Sequence, residues 1–137
     1  AGTYGASVYL FDRKPLIGDV QLFANMLGTR AWWMIAAAAV IGAPLAEELL
    51  FRGLMYGVLR ATPAGPAGAA LVTSVVWASV HAQYSLYGLA AILLIGLYLC
   101  YVRERTGSLL APLLCHAAYN AAIVLALMLA PESFFQI

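Results

Sequence analysis

The sequence alternates between long apolar runs and short polar segments. Residues 31–60 form the first long run, which is apolar as far as Ala46 and continues with strong helix formers to Arg60. A helix needs ~20 mostly apolar residues to cross a bilayer, so this run predicts a membrane-spanning helix. Trp32 and Trp33 lie at its start, where aromatic side chains commonly mark the membrane boundary.

Pro44 interrupts this first run. Proline has no backbone N–H and clashes with the preceding helical turn, whereas it fits well in the first turn of a helix. We therefore expect the helix to be broken near Pro44, either by a kink or by a restart that places Pro44 in a first turn.

The middle of the chain must hold two further helices. Residues 61–102 contain no Asp, Glu, Lys or Arg, and the stretch is too long for a single crossing. Two prolines and a glycine in residues 62–66 predict a loop. We predict helices over residues 67–82 and 86–102, joined by a short polar turn.

A polar loop over residues 103–107 precedes the last apolar run, residues 109–130. The sequence thus predicts an all-α polytopic membrane protein with about four apolar helices. Helices are favoured because a bilayer core offers no water to exposed backbone groups, and the apolar pattern lacks the alternation of barrel strands.

The N-terminal residues 1–30 are more polar than the rest. Apolar positions at helical intervals in residues 19–27 predict a short amphipathic helix at the membrane interface. We therefore divide the chain into an N-terminal interfacial segment, residues 1–30, and a membrane core, residues 31–137. The sequence begins at Ala1 without a signal-peptide pattern, and one interpretation is a fragment or processed form of a longer protein.

Composition supports a lipid environment and excludes some functions. Of the 137 residues, 64% are hydrophobic and 9% are charged, whereas soluble domains contain roughly 25% charged residues. The net charge of +1 and the absence of a basic stripe exclude nucleic acid as a partner. Cys100 and Cys115 lie in apolar runs, which is typical of packing residues rather than disulfides or metal ligands.

Three charged residues, Glu47, Glu48 and Arg52, lie inside the first apolar run. Each charge costs at least ~2.5–3.5 kcal/mol at the centre of a spanning helix, so a functional role is the default hypothesis. Glu48 and Arg52 have the favourable spacing for an ion pair on one helical face. Glu47 points in another direction and is free to face a cavity as a general base. The alternative is an ion network that only fixes helix packing.

The two histidines of the chain lie on different apolar helices. Trp77 precedes His81 by four residues, and His116 precedes Asn120 by the same spacing, so each pair shares a helical face. Either pair alone is compatible with simple packing or interhelical hydrogen bonding. If these faces converge with Glu47, the cavity holds a base, two imidazoles and an amide donor, which can activate water and stabilise an oxyanion.

These motifs together resemble those of a known protease family. The sequence EELLFR at residues 47–52 matches the EExxxR motif of the CAAX-processing and bacteriocin-processing membrane proteases, which include the type II CAAX prenyl endopeptidases and the Abi proteins. His81 resembles the FxxxH motif of the family, with Trp77 in place of the usual Phe, and His116 with Asn120 resembles its HxxxN motif. The resemblance covers residues 44–120.

The resemblance implies an intramembrane endopeptidase and a role for each matched residue. By analogy, Glu47 and His81 activate the attacking water, and His116 and Asn120 form the oxyanion hole. The implied substrate is a membrane-associated peptide or protein, either with a prenylated CAAX tail or as a peptide precursor. We expect no cofactor, and we expect the protein to lie in the bacterial inner membrane.

The remaining matched residues have supporting roles by the same resemblance. Glu48 and Arg52 support the catalytic residues, and Trp77 forms a wall of the substrate cavity.

Two other functions fit the same residues. A zinc protease could use Glu47, His81 and His116 as ligands, although the sequence contains no HExxH motif. A non-catalytic membrane scaffold, immunity protein or transport accessory could retain the polar cluster for helix association.

Overall fold

The computed structural model describes residues 14–130 and shows five helices joined by short connections. The helices are α1 (Lys14–Leu27), α2 (Trp32–Leu59), α3 (Gly65–Ser79), α4 (Leu86–Thr106) and α5 (Leu110–Leu129). The described part of the chain contains no strand, so the all-α prediction is confirmed. Residues 1–13 of the predicted interfacial segment and residues 131–137 of the predicted core lie outside the described residues.

Three helices are long and apolar enough to cross a membrane. α2, α4 and α5 contain 28, 21 and 20 residues with mean hydropathies of 1.7, 1.8 and 1.8. Large apolar side chains on them, such as Ile41, Leu94 and Leu114, are 60–65% exposed and therefore face lipid. α3 is also apolar but has 15 residues, so it reaches about 22 Å. The four predicted apolar helices are thus present.

The break predicted at Pro44 is a change of helix type within α2. Ala38–Gly42 is π-helical, and Ala43–Glu47 is α-helical with Pro44 in its first turn. The chain therefore restarts an α-helical segment at Pro44 rather than leaving the helix. A second π-helical segment, Glu48–Met55, follows directly, and segments of this kind are frequent at functional sites.

α3 and α4 pack closely because small residues line their contact. A Cβ atom on Gly96 of α4 would lie 3.0 Å from the Ser74 side chain and 3.0 Å from Cε3 of Trp77. Lipid tails are as apolar as side chains, so close van der Waals contact is a main source of helix association in membranes. Gly96 therefore sets the distance between α3 and α4.

A carboxylate of α1 bonds the start of α4. Asp19 accepts hydrogen bonds from the backbone N–H and the hydroxyl of Ser85, both at 2.6 Å. Ser85 in turn caps α4 by accepting a hydrogen bond from the Gly88 N–H at 3.2 Å. The predicted amphipathic helix over residues 19–27 is present and begins earlier, at Lys14.

We expect Gly96→Ala to destabilise the protein, because the added methyl group has no room between α3 and α4. Overpacking of this kind lowers the free energy of unfolding by about 1–3 kcal/mol. Gly57→Ala is the matched control, since its Cβ would meet nothing within 4 Å and alanine is the better helix former. Unfolding in mixed micelles measures both variants; equal stability of the two would contradict this packing account.

Candidate active site

A buried ion pair lies at the base of the site. The Arg52 Nη1 atom is 2.9 Å from Glu48 Oε1, and the side chains are 0% and 1% exposed. Arg52 also donates through Nη2 to the backbone carbonyl of Gly96 at 3.3 Å, which links α2 to α4. The structure therefore brings Glu48 and Arg52 together, as their spacing predicts, and places them behind the cavity rather than in its wall.

His116 connects this ion pair to the cavity. Its Nδ1 is 2.9 Å from Glu48 Oε1, and its Nε2 is 4.0 Å from Glu47 Oε2. A carboxylate only accepts hydrogen bonds, so Nδ1 carries a proton and donates to Glu48. Nε2 is therefore the nitrogen that faces Glu47 and the cavity, and it donates a hydrogen bond only when the imidazole is doubly protonated.

Glu47 lines the cavity and contacts Trp77. The Trp77 indole N–H donates to Glu47 Oε2 at 2.6 Å, and the Glu47 side chain is 25% exposed. This carboxylate is thus accessible from the cavity, unlike the adjacent Glu48. Sequence reasoning placed Trp77 in the cavity wall but gave no signal for the hydrogen bond, because the two residues are 30 positions apart.

His81 lies just beyond the end of α3, in a turn. The predicted helix over residues 67–82 is too long, since α3 ends at Ser79. The His81 backbone N–H bonds the Ala78 carbonyl, three residues back, which leaves the Trp77 carbonyl to the His81 side chain at 2.9 Å from Nδ1. Because a carbonyl only accepts, Nδ1 carries the proton, and the neutral ring keeps a lone pair on Nε2 for proton abstraction.

Asn120 is positioned by a backbone carbonyl that Pro44 leaves without its N–H donor. Ala43 donates its N–H to the Ala38 carbonyl, five residues back. The next residue, Pro44, has no N–H for the next acceptor in that series, the Ala39 carbonyl. Asn120 Nδ2 donates to this carbonyl at 2.8 Å. One amide hydrogen is therefore used for positioning, and the second remains to act as a donor.

The predicted polar residues converge on one cavity of about 220 Å³. Glu47, His81, His116 and Asn120 line it on one side. The rest of the wall is mainly apolar and comes from α1, α2, α4 and α5, through Val20, Phe23, Ala39, Ile92, Ile95, Ile123 and Val124. Drug-sized ligands occupy pockets of about 300–1,000 Å³, so this cavity has room for a group smaller than such a ligand.

Tyr84 adds a polar group at the cavity from the turn between α3 and α4. Burial raises the pKa of Tyr84 above its usual range, and the Asp19 carboxylate raises it further. The phenol therefore remains neutral at physiological pH and can donate or accept a hydrogen bond.

Within residues 14–130, no group of three His, Cys, Asp or Glu side chains has the arrangement of a metal site. Glu47 and His116 approach each other to 4.0 Å, and His81 binds the Trp77 carbonyl through Nδ1.

The fold and this cavity define a polytopic helical membrane protein with a carboxylate, two imidazoles and an amide placed together among its helices. The chain belongs to the type II CAAX prenyl endopeptidase Rce1-like family, whose model matches residues 29–122. This is a family of CAAX-type intramembrane proteases, and the matched range contains all seven residues of the sequence motifs. The predicted family is therefore confirmed, and the chain is an integral membrane protein.

A curated relative matches part of the chain. The chain is 43% identical over 76 residues to a protein of Escherichia coli described as an uncharacterized 24.3 kDa protein. The match covers 54% of this chain and 35% of the relative, so the chain spans about a third of the length of that protein. No solved structure matches the chain.

We expect Arg52→Met to unfold the protein readily, because it leaves Glu48 buried without its charged partner. Removing one partner of a buried ion pair costs about 3–5 kcal/mol. Arg60→Met is the matched control, since Arg60 pairs with Glu104 at 2.7 Å but is 47% exposed, and exposed pairs contribute about 0–1 kcal/mol. Denaturant unfolding in micelles gives both values, and similar losses for the two variants would contradict this assignment.

Proposed function

We propose that the chain is the core of an intramembrane endopeptidase that hydrolyses a peptide bond of a membrane-associated protein or peptide. The observation that carries the proposal is the convergence of Glu47, His81, His116 and Asn120 on one cavity among apolar helices. Membership in the Rce1-like family supports the same class of reaction.

Glu47 and His81 are the water-activating groups in this proposal. Glu47 is an accessible carboxylate, and His81 is held by its Nδ1 so that Nε2 keeps a lone pair. A water molecule between them loses a proton as its oxygen attacks the carbonyl carbon of the substrate. The same proton is then delivered to the leaving amine when the tetrahedral intermediate collapses.

His116 and Asn120 are the oxyanion donors in this proposal. His116 donates from Nε2 in its doubly protonated form, and Asn120 donates with the amide hydrogen that Ala39 does not use. Preorganised donors of this kind are usually the largest catalytic contribution, because they need no rearrangement as charge develops. The buried Glu48–Arg52 pair supports this geometry by holding His116 at Nδ1.

The substrate is proposed by chemical class. The family model describes CAAX prenyl endopeptidases, which favours a membrane-bound protein with a prenylated CAAX tail, whereas a peptide precursor would suit the same cavity. The apolar walls agree with a substrate that enters from lipid. We place the protein in the bacterial inner membrane, in line with its Escherichia coli relative.

The other two functions are less well supported. A scaffold would not need an accessible carboxylate beside two imidazoles, so the site and the family both favour the protease. We propose hydrolysis without a metal, because the sequence contains no HExxH motif.

We expect Glu47→Gln and His81→Ala each to abolish cleavage while the protein remains abundant in the membrane, because neither residue belongs to the buried ion pair. Loss of a general base typically lowers the rate about 10²–10⁴-fold. Comparing membrane proteomes of cells with wild type and Glu47→Gln would show an uncleaved species that accumulates and so identifies the substrate.

The control for this experiment is Glu104→Gln, which removes a carboxylate from the exposed pair with Arg60 at a distance from the cavity. Its proteome should match that of the wild type. Cleavage that survives both Glu47→Gln and His81→Ala would overturn the assignment of the water-activating pair.

We expect the purified protein to retain its activity after treatment with a strong zinc chelator. The metal content of the protein, measured by elemental analysis before and after treatment, shows whether any ion was removed. Activity that is lost with the ion and restored only by zinc would replace the proposed mechanism with a zinc-dependent one.

A further inference from the structure

Trp77 contacts the Glu47 carboxylate, the Arg52 guanidinium and the imidazoles of both histidines. Its indole N–H donates to Glu47 Oε2 at 2.6 Å, and the residue is 3% exposed. The Arg52 guanidinium lies over the ring, with Cζ 4.3 Å from the ring centroid. His81 and His116 approach the ring edge-on, with centroid distances of 5.3 and 5.4 Å.

These contacts fix the direction of the indole N–H. The stacked cation of Arg52 is itself held by Glu48 and is fully buried, so the face of the ring has a rigid support. On α4, the backbone at Gly96 is so close that a Cβ there would lie 3.0 Å from Cε3 of Trp77. The ring therefore has little freedom to turn its N–H away from Glu47.

A fixed donor has a direct consequence for the carboxylate. Hydrogen bonds to ionised groups are shorter and about twice as strong as neutral ones. With Oε2 of Glu47 bound to Trp77, the other oxygen, Oε1, has no hydrogen-bond partner among the described residues. Oε1 is thus the atom that is available to accept a proton from water.

We propose that Trp77 is a positioning residue that holds Glu47 with Oε1 directed at the attacking water, in addition to forming the cavity wall. The inference rests on the proposed function, because it assigns Glu47 as the base. Its physical basis is the indole N–H and not the aromatic ring alone. A phenylalanine at position 77 would keep the ring contacts with Arg52 and the histidines but could not donate to Glu47.

The test uses Trp77→Phe in the full chain, purified in mixed micelles, with a fluorogenic prenylated CAAX peptide as the probe. Loss of a hydrogen bond to a charged group should lower kcat about tenfold. KM should stay within about twofold, because the apolar wall that binds the substrate is retained. Trp33→Phe is the matched control, since Trp33 is 59% exposed and does not line the cavity; its kcat and KM should equal those of the wild type.

A second measurement does not depend on cleavage. The indole N–H signal of Trp77 in a ¹⁵N spectrum is the one that remains in both Trp32→Phe and Trp33→Phe, because these replace the other two tryptophans of the chain. Replacing the carboxylate in Glu47→Gln should move this signal to lower frequency, as the hydrogen bond weakens, and leave that of Trp33 unchanged.

The outcomes separate the two proposals. A wild type that cleaves, together with Trp77→Phe at an unchanged kcat, overturns the positioning role and leaves the protease function standing. A wild type that does not cleave this probe overturns the prenylated CAAX tail as the substrate class, while the spectrum still decides the contact. If Trp77→Phe does not fold, an indole signal that ignores Glu47→Gln rejects the positioning role.

Discussion

All four apolar helices meet at one buried ion pair. Glu48 and Arg52 of α2 have almost no exposure, so each must find its partners inside the protein. Arg52 contacts the Trp77 ring of α3 and the Gly96 carbonyl of α4, and Glu48 accepts from His116 of α5. Since an unpaired charge at this depth is costly, the helices must adopt the arrangement that brings these groups together.

The groups that we propose as catalytic take their positions from this framework and from two backbone carbonyls that lack a helical N–H donor. Trp77, which stacks on Arg52, presents its own carbonyl to His81 because α3 tightens and ends at Ser79. Pro44 leaves the Ala39 carbonyl without a backbone donor, and an amide from α5 takes the place of that donor. These two carbonyls, which irregular helical hydrogen bonding leaves without backbone donors, thus hold the His81 and Asn120 side chains in place.

The sequence predicted what depends on local spacing. The Glu48–Arg52 pair follows from helical periodicity, and the helix restart follows from the missing N–H of Pro44. The end of α3 was predicted three residues too late, since the apolar pattern continues past Ser79, whereas the chain turns there and bonds the His81 N–H to the Ala78 carbonyl.

The sequence did not predict contacts between residues that lie far apart along the chain. The hydrogen bonds from Trp77 to Glu47 and from Asn120 to Ala39 join residues 30 and 81 positions apart. Their formation depends on how the helices rotate and cross, which spacing along one helix does not encode. The sequence therefore predicted polar residues that line the cavity, but not which of their atoms already form hydrogen bonds.

The central claim is that the ion pair shapes the site rather than merely stabilising the bundle. The double variant Glu48→Met with Arg52→Met tests it most directly, because replacing both charges by apolar groups of similar size is often neutral for stability. We predict that the double variant recovers stability relative to Arg52→Met alone but cleaves at least about 10²-fold more slowly than the wild type, since His116 loses its acceptor at Nδ1. A stable double variant with wild-type cleavage would contradict the account.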